Sequence, residues 1–172
     1  MIKKIILFLL LTVGCFGQVN KVRNIKDLYA KVKENTNLNG DNIYKEYTIK
    51  YIASDYLRKE VILPKINKGE IYQYENNKRL VYIPLFNEVN EESGKDEFNN
   101  FLTILNELKD KDLKKIKELK LKGGYLIKIV KFKNVNNFLL PVKLDIYDGT
   151  IKISSLRLED IKVNSGLVRE GL

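Results

Sequence analysis

Nucleophilic or metal chemistry usually rests on histidine or cysteine, and this 172-residue sequence has no histidine and one cysteine, Cys15. A His/Cys metal site, a Cys–His pair and a Ser–His–Asp triad are therefore excluded by counting. Paired carboxylates remain. Two acids about 5–9 Å apart can run glycoside hydrolysis, and Glu91-Glu92, Asp110 with Asp112, and Glu159-Asp160 are the candidate pairs. All of them fall near predicted element ends, where solvated charge is the ordinary state, so the chain is read as a non-enzyme without catalytic residues, metal or cofactor. Arg58 and Arg157 are candidates for ion pairs or for contact with an anionic headgroup, with surface solvation as the default. The residue types favour apolar binding instead. Ile49, Tyr51, Leu57, Val61 and Leu63 share a predicted strand face with Tyr72, Tyr74, Val81 and Ile83 beside them, and Phe98, Phe101, Leu102 and Leu105 stripe a predicted helix above. Each CH₂ moved out of water is worth about 0.8 kcal/mol, so this set has the surface to bind an apolar ligand if it can be uncovered. If it is packed permanently, it is ordinary core.

The stretch 55–92 must position these side chains, and the rest of the chain is read as organised around it. β-Branched and aromatic residues gather at 56–63, 70–74 and 79–83, while Gly69, Asn76, Asn77 and Pro84 punctuate the gaps, which predicts a meander of three strands. Glu75-Asn76-Asn77-Lys78 supplies the asparagines that a tight hairpin with positive φ favours. Upstream, Val22, Ile25, Leu28, Tyr29 and Val32 recur at helical spacing and predict an amphipathic helix over 22–35. Residues 42–53 alternate, with Ile43, Tyr47, Ile49 and Tyr51 on one face of a half-buried strand. Residues 91–94 form a polar break. The second helix follows over 95–108, with Leu108 closing its stripe, and a strand is expected from Ile116 onward. Apolar residues on both faces of 125–133 predict a strand well inside the sheet. Strands 139–147 and 151–159 join at Asp148-Gly149, and 161–171 carries no further strand. Seven or eight antiparallel strands and two helices make an α+β domain. One strongly curved sheet wrapping helices suits the count, because the helical stripes need an apolar surface of their own. Ser93-Gly94 and Gly123-Gly124 bracket the second helix, as turns or as hinges that let it swing.

With 44% hydrophobic and 31% charged residues, the chain has the composition of one folded domain with a substantial core. Its net charge of +9 is spread along the predicted elements, so nucleic acid is not the expected partner. The charge is read mainly as solvated surface, and secondarily as attraction to an anionic membrane. Lys3 and Lys4, an apolar run from Ile5 through Val13, and small residues at Gly14 and Gly17 give 1–17 the layout of a bacterial secretory signal. The run is shorter than the roughly 20 residues a bilayer span needs. Cleavage after Gly17 leaves a soluble domain, 18–172. Cleavage between Gly14 and Cys15 makes Cys15 a lipidated first residue and hangs the domain from a membrane, with Thr12 where a leucine is usual in such sites.

Three pieces in this order, DYLRKEV, IYQYENNKRLVYIPLFNEV and LLPVKLDIYDGTIKISSLRLEDIKVNSGL, resemble the outer-membrane lipoprotein-sorting proteins of the LolA/LolB superfamily. The matching positions are Leu57-Arg58 in the first piece and Asn77, Tyr82 and Pro84 in the second. In the third they are Leu140-Pro141, Asp148-Gly149 and Ile161-Lys162-Val163-Asn164. The resemblance covers about 22–168. It implies an unclosed half-barrel lidded by helices, whose hydrophobic cavity carries the acyl chains of lipoproteins across the periplasm. An inner-membrane lipoprotein-releasing transporter and an outer-membrane acceptor are its implied partners, and a monomer is the expected state. A lipid-anchored LolB-like receptor, a structural envelope lipoprotein and a periplasmic regulator of a membrane partner share these features. The best-known members place a lid-latching arginine just before the first piece, where Ser54 and Asp55 stand here, and this chain has no tryptophan.

Overall fold

The computed structural model describes residues 21–38, 40–53, 55–75, 78–92, 99–113, 115–121 and 123–172. Among them, ten strands form one antiparallel sheet. These are β1 (Asp27–Leu38), β2 (Asp41–Ile52), β3 (Tyr56–Leu63), β4 (Ile71–Glu75), β5 (Lys78–Ile83), β6 (Glu88–Glu92), β7 (Glu118–Lys120), β8 (Tyr125–Val135), β9 (Phe138–Asp148) and β10 (Ile151–Val163). Their order in space is β6-β5-β4-β3-β2-β1-β10-β9-β8-β7, an unclosed half-barrel. One α-helix is present among the described residues, α1 (Asn99–Leu108), and it covers part of the inner face.

Residues 22–35 are not helical. A 3-10 turn, Val22–Asn24, leads into β1, which pairs with β2 over its length and with β10 from Leu28 to Thr36. Leu28, Ala30 and Val32 are buried in strict alternation, and Ala30 supplies the small inward residue that a helical reading overlooks. Spacings of three and four fit a helix, but 28, 30 and 32 fit a strand equally well, and hydrogen bonding on both sides decides the outcome. β1 is therefore the middle of the sheet, and the 55–92 meander is one wing of it rather than its centre.

The meander strands lie where alternation places them, and β3 spans the expected residues. β6 is an addition: Glu88–Glu92 pairs with β5 although its polar sequence reads as a break. On the other wing β8 is next to the edge, because the three-residue β7 covers only Leu126–Lys128. Gly123 and Gly124 have φ of 106° and 91°, and Gly124 N–H bonds the Leu121 carbonyl at 3.3 Å, so this pair is the tight turn between β7 and β8. Asn136 and Asn137, both with positive φ, form the two-residue loop of the β8–β9 hairpin. Gly149, at φ 57°, turns β9 into β10, which continues to Val163.

Residues 164–172 then fold back over the outer face. The Asp27 carboxylate accepts from Ser165 N (2.8 Å), Ser165 Oγ (3.1 Å) and Gly166 N (3.0 Å). Farther on, Arg169 ion-pairs with Asp55 and Glu75, both at 2.6 Å, and Glu170 pairs with Lys50. Arg58, a candidate for an ion pair with surface solvation as its default, is buried beneath this segment, pairs with Glu170 (3.5 Å), and donates to Gln73 Oε1 (3.1 Å) and the Gly171 carbonyl (3.0 Å).

Candidate functional site

The inner face has two zones. In the first, Leu28, Ala30, Val32, Ile49, Tyr51 and Leu57 form a closed core with Ile104, Leu105 and Leu108 of α1. Expected ligand residues Ile49, Tyr51, Leu57 and Leu105 all belong to it, each 3% exposed or less, so in this conformation they are packing residues. Ile104 is the helix residue the predicted stripe omits, and it is 2% exposed. Phe98 lies outside the described residues, as do Ser93, Gly94, Asn76, Asn77, Cys15 and the side chains of Phe101 and Leu102.

The second zone lies across β2–β5 and is half open. Lys45, Tyr47, Lys59, Val61, Leu63, Pro64, Asn67, Glu70 and Tyr72 line a cleft of about 160 Å³ there. Val61, Leu63 and Tyr72 are expected ligand residues that the fold does bring together. Tyr74, Val81 and Ile83 continue the same face: Tyr72 pairs with Val81, and Tyr74 with Arg79. A cavity of about 150 Å³ accepts a benzene-sized molecule, and drug-sized pockets start at about 300 Å³. A space of this size is too small for a whole acyl tail.

Basic and aromatic side chains dominate this zone. Lys59, 6% exposed, places Nζ 4.1 Å from the Tyr47 ring centroid and 5.3 Å from that of Tyr72. The Arg79 guanidinium lies 5.3 Å from Tyr72 on the next strand and 6.0 Å from Tyr74, so cations and rings alternate across β2–β5. Burial pulls the Lys59 ammonium down to about 7; Glu34 and Glu70 oppose the shift, while Lys45 and Arg79 add to it. Behind Tyr47, Glu34 accepts from the Tyr47 hydroxyl (3.0 Å), Thr36 Oγ1 (2.9 Å) and Ser154 Oγ (3.2 Å). Burial, reinforced by Glu34, holds the Tyr47 phenol well above its ordinary range. Glu70 accepts from the Tyr72 hydroxyl (2.8 Å) and Asn67 Nδ2 (2.6 Å).

Lys59 is missing from the sequence-based set, yet it was legible: alternation through Leu57, Lys59 and Val61 points it inward. The carboxylate pairs are occupied otherwise. Glu91 ion-pairs with Lys78, Asp112 with Lys115, and Glu159 with both Lys33 and Arg157. Among the described residues, no group of three His, Cys, Asp or Glu could hold a metal ion.

No model of a known family matches the chain, and no curated protein matches it in sequence. Solved structures do match its shape. A DUF1329 family protein from Desulfovibrio piger has a TM-score of 0.62 at 12% identity, over 86% of this chain and 89% of its own. A putative outer membrane lipoprotein-sorting protein domain from Vibrio parahaemolyticus has 0.59 at 12% identity, over 83% and 87%. A LolA superfamily protein from Nitrosomonas europaea has 0.59 at 10% identity, over 89% and 94%. At these identities the likeness is one of fold.

Proposed function

We propose that this LolA-like half-barrel binds the acyl chains of lipoproteins on the inner face of β2–β5 and carries them across the periplasm, without catalysis. The observation that carries the reading is the half-open wing: Leu63, Tyr72, Tyr74 and Ile83 stay part-exposed on the same face whose other half is sealed by α1. Lipid access has a second support in the loop that lines the cleft with Pro64 and Asn67 and in the loop beside it. Ile66, Leu85 and Phe86 are 88%, 81% and 63% exposed on the two loops that end β3 and β5. Those loops touch, since a Cβ on Gly69 would lie 3.3 Å from Pro84 Cγ. Clustered exposed apolar side chains mark a surface for lipid or a partner.

Taking up a whole tail requires α1 to withdraw Ile104, Leu105 and Leu108 from the core, at a cost of about 5–9 kcal/mol for three such side chains. A tail of about 15 methylenes taken from water returns about 12 kcal/mol, which outweighs that cost for a solvated tail. In this reading 1–17 is an export leader, 18–172 the binding domain, and the chain is a monomer that meets a releasing transporter and an outer-membrane acceptor. An acylated Cys15 in the mature protein, found by mass spectrometry of its N-terminus, would instead make it an anchored receptor.

The test is native mass spectrometry of the purified domain with a triacylated lipopeptide, comparing wild type with Ile83→Asp and Val81→Asp. A one-to-one adduct that both substitutions weaken is expected. No adduct at saturating lipopeptide would overturn the proposal.

A further inference from the structure

Among the described residues, Lys59 is the one cation whose side chain both lines the cleft and is buried; the Tyr47 and Tyr72 rings lie near its ammonium, and Val61, Leu63 and Pro64 supply the apolar part of the wall. We infer that the cleft is a head-group site for a long-chain fatty acid, whose carboxylate meets the Lys59 ammonium while its first methylenes lie against Val61, Leu63 and Tyr72. The inference rests on the inner face being an acyl-binding surface and adds the chemical class of the ligand that would use this end of it.

Charge and size select the head. Lys45 shares the cleft wall with Lys59, and Arg79 stands beyond Tyr72, so a developing negative charge is met by several cations. Against it stand Glu70 on the wall, already bonded by Tyr72 and Asn67, and Glu34 behind Tyr47. This balance suits one negative charge and disfavours a phosphate that carries close to two. A volume of about 160 Å³ admits a carboxylate with its adjoining methylenes, and the chain then leaves past Tyr72 toward the part-exposed Ile83 of β5. A carboxylate–ammonium contact shielded from water is among the stronger polar contacts in proteins.

The site is proton-linked. Facing Lys59 are Glu34 from β1, Lys45 and Tyr47 from β2, Glu70 and Tyr72 at the start of β4, and Arg79 from β5. Above pH 7 the empty site holds Lys59 largely neutral, and a bound carboxylate restores its proton. Binding therefore takes up about one proton at pH 8, and Kd rises up to about tenfold for each pH unit above 7.

Calorimetry with myristate below its micellar concentration, with methyl myristate and with a triacylated lipopeptide, at pH 6, 8 and 9, tests this on the wild-type domain and on Lys59→Met. Myristate is expected to bind at least about tenfold tighter than its methyl ester at pH 6, with the preference fading by pH 9 and absent in Lys59→Met. Thermal unfolding checks that the variant is folded. Equal affinity for acid and ester, or a preference that survives in Lys59→Met, overturns the inference even if the lipopeptide binds. Failure of all three to bind overturns the acyl-binding reading itself.

Discussion

Lys59→Met should stabilise the protein at low and neutral pH, and the gain should vanish in alkali. In the folded chain the ammonium is held to about 7, against 10.5 ordinarily. Below pH 7 both states carry the proton and the folded state bears the full cost of burying the charge. Between pH 7 and 10.5 the unfolded chain holds more protons than the folded one, so stability rises with pH across that window, and above it the penalty is gone. A difference of about 3.5 between the two values, at about 1.36 kcal/mol for each, corresponds to about 5 kcal/mol. That figure is net of the Tyr47 and Tyr72 rings, which favour the charged form and lie 4.1 and 5.3 Å from Nζ. Methionine keeps the alkyl stem and removes the charge. Lys59→Met is therefore expected to gain about 5 kcal/mol at pH 6, or about 10–20 °C in Tm for a domain of this size, and almost nothing at pH 10.5. Urea and thermal unfolding followed by circular dichroism from pH 6 to 10.5 measure the difference. Stability curves that run parallel for the two proteins would show that Lys59 is not buried as a cation, and the reasoning would fail with them.

Four further outcomes follow from the packing. Asp27→Ala removes the acceptor for Ser165 and Gly166 and should cost about 2–3 kcal/mol in urea unfolding. Arg58→Met strands Gln73 and the Gly171 carbonyl, so trypsin should cut after Arg169 faster than in the wild type, with a stability loss of about 2 kcal/mol. Leu108→Ala opens a cavity at a fully buried position at the end of α1 and should cost about 2–5 kcal/mol, read as a fall in Tm. Gly69→Ala, at φ 84° and against Pro84, should cost about 1–2 kcal/mol, whereas Gly124→Ala, in open space at φ 91°, should bear only the backbone part of that cost.

The sequence showed clearly the features that depend on near neighbours. Alternation through Tyr47, Ile49 and Tyr51, and through Leu57 and Val61, placed the inner face of β2 and β3, and Asp148-Gly149 marked the last hairpin. Asn136-Asn137, both at positive φ, carries an equally local hairpin signal between β8 and β9. Local pattern is ambiguous where two periodicities coincide, as in β1, and silent where pairing is imposed from outside, as in β6, whose Glu and Asn residues have no apolar face to announce a strand.

By itself, then, the sequence determined an antiparallel α+β chain with an aromatic inner face, because side-chain alternation and turn chemistry act over two to four residues. It did not determine that β1 is the centre of the sheet. That follows from pairing Leu28 with Val163, partners at opposite ends of the domain. Nor could it show that Ile49, Tyr51 and Leu57 are sealed under α1 while Val61, Leu63 and Tyr72 face a cleft. All six share one face and one kind of chemistry, and only the reach of a ten-residue helix across a ten-stranded sheet separates them. Lys59 became a buried cation for the same reason: its inward direction is local, but the rings and strands that exclude water from it come from elsewhere in the chain.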